Sequence, residues 1–111
     1  MLYELVRSRL EADPRILAAW MFGSRARGVS SVSSDLDVAV LLDHPPRSLA
    51  ELPFDLADRL QEELGLDTDL VILNNAPPEL VRRVLAEGVR LVDRNRAARL
   101  AFEVRFRNDG P

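Results

Sequence analysis

Ile16-Leu17-Ala18-Ala19-Trp20-Met21-Phe22-Gly23-Ser24 and, after ten intervening residues, Asp35-Leu36-Asp37-Val38-Ala39-Val40-Leu41-Leu42 decide how this chain is built. The first run is apolar throughout and too short for a buried helix of ordinary length, and it stops at a glycine, which suits a buried strand. In the second, Leu36, Val38, Val40 and Leu42 alternate with Asp35, Asp37, Ala39 and Leu41, and His44-Pro45-Pro46 ends the segment. That is the pattern of a second strand.

Working outward, Leu2, Leu5, Val6 and Leu10 recur at helical spacing until Asp13-Pro14, where proline makes continuation costly. Downstream, Ser48 followed by Glu51 reads as a capping-box start. Leu49, Leu52, Leu56, Leu60 and Leu64 form one stripe, and Gly65 is a helix stop, so the spacing predicts one helix from Ser48 to Gly65. Thr68 to Leu73 reads as a third strand. Asn75-Ala76-Pro77-Pro78 opens a helix lined by Leu80, Val81, Val84 and Leu85 and closed by Gly88, and Val89 to Val92 follows as a short strand. Residues 94–107 read as a C-terminal helix in which Ala98, Phe102 and Phe106 share one face. That face packs either on this chain's own core or on a partner. There is no repeat or linker, so the expectation is one α/β domain over residues 1–111.

Composition narrows the chemistry. With no cysteine, disulfides, thiol catalysis and cysteine-ligated zinc are excluded. All 15 basic residues are arginine, so a P-loop lysine and Schiff-base chemistry are excluded too. The net charge of −3 divides unevenly: residues 94–111 carry five arginines against Glu103 and Asp109, leaving residues 1–93 at −6. An acidic body argues against direct nucleic-acid binding. No apolar run approaches the ~20 residues of a membrane span. The start has no basic, apolar and small-residue succession of a secretory signal, which points to a cytoplasmic protein.

Three carboxylates carry the functional reading. Side chains alternate along a strand, so Asp35 and Asp37 project from the same side and their carboxylates are neighbours. Such a pair beside apolar residues repels and loses hydration unless a cation compensates or one member stays protonated. Magnesium, which takes oxygen ligands from one or two protein carboxylates and completes its shell with phosphate and water, suits this set. The plain structural alternative makes Ser33-Ser34-Asp35 a turn or strand cap, which explains Asp35 better than Asp37. Asp69, set in the third strand, is a candidate third ligand; Asp67 shares its face and competes, but sits at the strand entrance where a turn acid is commonplace. Gly23 lets the backbone approach a ligand closely, and the Ser24 hydroxyl and neighbouring amides offer donors to phosphate. Arg25 and Arg27 can neutralise phosphate charge, with Arg27 the preferred candidate, or can be solvated turn residues.

Taken together, Phe22-Gly23-Ser24-Arg25-Ala26-Arg27-Gly28, the spacing to Asp35-Leu36-Asp37, and Thr68-Asp69-Leu70 resemble the DNA polymerase β-like nucleotidyltransferase superfamily. Within it, the chain is most similar to the minimal nucleotidyltransferases that form the antitoxin half of HEPN/MNT toxin–antitoxin pairs, which share the Asn74-Asn75-Ala76-Pro77-Pro78 segment and Glu87-Gly88. The resemblance implies a small mixed sheet with helices packed on one side. It implies Asp35, Asp37 and Asp69 as ligands of two magnesium ions, and Gly23 and Ser24 as the triphosphate grip. The implied reaction transfers AMP from ATP to a tyrosine of a partner HEPN ribonuclease. Many relatives carry an acid where Ile72 stands; that position faces away from Asp69, so no ligand is lost. Larger relatives add an acceptor-holding domain, so acceptor specificity here would come from a partner or a second copy. Two other readings stay open: an antitoxin that neutralises its partner by binding alone, and a nucleotidyltransferase acting on another acceptor.

Overall fold

The computed structural model describes residues 2–23 and 35–107. Ser24, Arg25 and Arg27 therefore lie outside the described residues. In chain order the elements are α1 (Leu2–Glu11), β1 (Ile16–Phe22), β2 (Leu36–Leu42), α2 (Phe54–Leu64), β3 (Thr68–Ile72), α3 (Pro78–Glu87), β4 (Val89–Asp93) and α4 (Arg96–Arg107). The strands form one mixed sheet in the order β3-β2-β1-β4. β1 runs antiparallel to both β2 and β4, while β2 and β3 are parallel. Parallel neighbours need a crossover, and α2 supplies it. Among the described residues no helix is long and apolar enough to cross a membrane.

The mixed α/β sheet is the one expected, but its helices are not confined to one side. Leu36, Val38, Val40 and Leu42 of β2 join Val6 and Leu10 of α1 and Leu56 and Leu60 of α2 in one core. Ala39 and Leu41, from the other face of the same strand, pack with Val81 and Val84 of α3 and Phe102 of α4 in a second core. The reason lies in β1 and β2 themselves, which are apolar on both faces and buried along nearly their whole length. A strand with no polar face must be covered twice. β1 reaches both cores by alternation, Ala19 and Met21 entering the first and Ala18, Trp20 and Phe22 the second, and a register shift between Ile16 and Ala18, consistent with a bulge, lets Leu17 and Ala18 address the same core.

The helix expected from Ser48 is broken. Leu49–Glu51 form a 3-10 turn, Leu52 is extended, and α2 starts only at Phe54. Pro53 is the cause, since the residue before a proline is driven out of the helical region. Ser48 makes no capping bond. Glu51 does not complete the motif either: it reaches past Ser48 and accepts a hydrogen bond from the Arg47 amide at 2.8 Å. Gly65 ends α2 in the left-handed conformation. β3 ends one residue short of Leu73, because Asn74 turns back and pairs with Leu42 of β2 through both its amide oxygen and its amide nitrogen. α4 begins two residues later than expected, at an Asn95 side chain that accepts from the Ala98 amide. Arg94 is diverted to the carbonyls of Ile16 and Glu11. Phe102 is buried in the second core and Phe106 packs against it, their ring centroids 5.0 Å apart. The aromatic face of the C-terminal helix thus covers this chain's own sheet.

Candidate active site

The sheet delivers its acidic side chains to one end. Asp37 is the second residue of β2, directly opposite Phe22 of antiparallel β1 and Asp69 of parallel β3. The register is pinned at that end by the Leu36 amide, which donates to the Asp67 carbonyl at 2.8 Å. Asp37 and Asp69 are therefore cross-strand neighbours on one face, and Asp35, exposed just ahead of β2, lies two residues before Asp37 on the same strand parity. Asp67 contributes its backbone to the register, whereas Asp69 is the residue paired with Asp37.

The Asp37 carboxyl is half-buried and pushed above the ordinary carboxylate range. Burial is the main cause, followed by the charges of Asp69 and Asp35, and a side-chain hydrogen bond with Asp69 adds to the rise; Arg83 opposes it. Gly23 closes the other side. It has φ +79°, and a Cβ placed there would overlap Asp37 Oδ2. Only glycine both adopts that conformation readily and leaves room for the carboxylate.

Among the described residues, no group of three or more His, Asp or Glu side chains is gathered into a ready metal cage. Asp37 and Asp69 come together, while Asp35 acts on Asp37 through its charge. The donor set nevertheless fits a hard divalent cation: three oxygen-donor carboxylates, their mutual repulsion at Asp37 only partly offset by Arg83, lie at a sheet end where phosphate oxygens and water can complete an octahedral shell. Chemically, this end of the sheet can hold cations against an anionic ligand beside a backbone that approaches closely at Gly23. Arg83 was missed by sequence reasoning. Nothing in its spacing marks it, and only the path of α3 across the Asp37 face brings its charge to the site.

The model of the polymerase beta nucleotidyltransferase family matches residues 4–97. Protein adenylyltransferase MntA of Shewanella oneidensis is 33% identical over 78 residues, which cover 70% of this chain and 55% of that protein. The chain thus spans just over half the length of this curated relative. A chain in a crystal structure of a toxin–antitoxin with AMP-PNP superposes with a TM-score of 0.79 at 28% identity, over 94% of this chain and 82% of the other. A chain in the structure of the tri-AMPylated Shewanella oneidensis HEPN toxin in complex with MNT antitoxin superposes with a TM-score of 0.69 at 25% identity, again over 94% and 82%. Since the family match runs from α1 into the start of α4 and takes in Gly23, Asp35, Asp37 and Asp69, the chain belongs to the polymerase beta nucleotidyltransferase family.

Proposed function

We propose that this protein is an adenylyltransferase antitoxin that moves AMP from ATP to a tyrosine hydroxyl of a partner HEPN ribonuclease toxin. The observation that carries the reading is the register pairing of Asp37 with Asp69, with the bare Gly23 backbone set against the Asp37 carboxylate. Its relatives add support: one is named a protein adenylyltransferase, and a similar chain occurs in a complex containing an AMPylated HEPN toxin.

Asp35, Asp37 and Asp69 would hold two magnesium ions, which when bound supply Lewis-acid charge neutralisation at the reacting phosphate and leaving group. Gly23 brings its backbone to the triphosphate, and Ser24 and Arg27 donate to its oxygens. The acceptor oxygen forms a bond to the α-phosphorus as the bond from that phosphorus to the bridging oxygen of pyrophosphate breaks in line. The tyrosine proton passes to Asp69, which then releases it to water. The protein's share is mainly to place charge and align the reactants.

The test is transfer of label from α-labelled ATP to the partner protein in magnesium. An Asp35→Asn, Asp37→Asn double variant is expected to lose transfer while keeping its circular dichroism spectrum. Transfer at the wild-type rate would overturn the proposal. Neutralisation by occlusion alone drew its motive from the C-terminal helix, and Phe102 and Phe106 are committed to this chain's own core. Full neutralisation of the toxin by the double variant would restore that reading.

A further inference from the structure

Beyond the carboxylates, the site has an overhang. Asp37, Ala39 and Leu41 share one face of β2, and Ala39 and Leu41 pack on that face with Val81 and Val84 of α3. α3 therefore lies across the face from which Asp37 projects. Its end is fixed at the end of β1: a Cβ at Gly88 would meet the Val84 carbonyl, the Met21 carbonyl and the Trp20 Cβ. Met21 adjoins Phe22, the residue opposite Asp37. The closing turns of α3, which carry Arg83 and Glu87 at i and i+4, thus sit over the carboxylate end of the sheet.

Resting on the nucleotidyltransferase reading above, we infer that Arg83 is a phosphate clamp that holds the β- and γ-phosphates of the nucleoside triphosphate from the helix side of the site. Its Nε makes only a loose, exposed ion pair with Glu87 Oε1 at 3.8 Å, and its side chain is 56% exposed. The guanidinium presents a fork of donors suited to two phosphate oxygens at once. Its guanidinium lies near enough to Asp37 for its charge to act there. Charge balance calls for such a group. Three carboxylates and a triphosphate outweigh two divalent ions by more than Arg27 alone can offset, and the chain has no lysine to make up the difference. In the proposed reaction the α-phosphorus sits beside the carboxylates, which leaves the departing β- and γ-phosphates for a cation on the overhanging helix.

The inference is tested by calorimetric titration of the chain with AMP-PNP and, separately, with AMP, both in magnesium. Arg83→Ala is expected to weaken AMP-PNP about tenfold, about 1.4 kcal/mol, while leaving AMP affinity within about twofold of wild type. Arg83→Lys is expected to recover part of the loss, since a point charge replaces the fork. Unchanged AMP-PNP affinity in Arg83→Ala would overturn the inference. So would equal losses for AMP-PNP and AMP, which would mark a structural role. A wild-type chain that binds neither nucleotide would instead overturn the reading of the site, and the clamp with it.

Discussion

Gly23 joins fold and chemistry in a single residue. Its positive φ lets β1 turn away at the carboxylate end, and its missing side chain leaves space for the Asp37 carboxylate. Gly23→Ala meets both demands badly. The left-handed conformation costs an alanine roughly 1–2 kcal/mol, and the new methyl must displace Asp37 from its place opposite Asp69. The variant is expected to fold with its unfolding free energy, measured by urea denaturation, lowered by that amount. Its AMP transfer should fall by more than about tenfold, since small misplacements of reacting groups are expensive. A variant with reduced stability but wild-type transfer would show that Asp37 needs no such backbone approach.

The elements show where pattern reading succeeds and where it stops. The two capping signals make the point: Ser48 has the motif but makes no capping bond, whereas Asn95 accepts from the Ala98 amide at 3.0 Å. Ser48→Ala is accordingly expected to change stability by less than about 0.5 kcal/mol, and Asn95→Ala to cost about 1 kcal/mol, both measured by urea denaturation. A substantial loss in Ser48→Ala would mean that the turn at Leu49–Glu51 helps to hold α2 after all. The strands were legible because a continuous apolar run and a period of two leave few alternatives. Asp35, Asp37 and Asp69 could be marked for the same reason. What stayed illegible depended on contacts distant in sequence. Pro53 splits a stripe that a periodicity count runs straight through. Helices on both faces follow from the two-sided apolar character of β1 and β2, whereas the resemblance implied helices on one side only. Arg83 had no local mark at all, because its relevance comes from α3 crossing Asp37.

At the scale of the whole molecule, the site works against the stability of the nucleotide-free protein. The folded state holds the Asp37 carboxyl above its ordinary value of 3.8, mainly by burial and then by the charges of Asp69 and Asp35. A carboxyl raised on folding binds its proton more tightly in the folded chain than in the unfolded one, so its ionised form opposes folding. That cost is absent below the ordinary value and complete once the pH exceeds the raised one. Asp37→Asn removes the charge and should therefore raise the urea midpoint at neutral pH, with its advantage shrinking as the pH falls through the raised value toward 3.8. Ligand should reverse the ranking. On the proposed function, magnesium with AMP-PNP would bind the folded wild-type site and stabilise it by mass action, but would find a weakened site in Asp37→Asn. A series of melts with and without the two ligands is expected to show the variant ahead when neither is present and the wild type gaining more when both are. If Asp37→Asn melts below the wild type at neutral pH without ligand, the acids at this end of the sheet support the fold, and their clustering no longer argues for a cation between them.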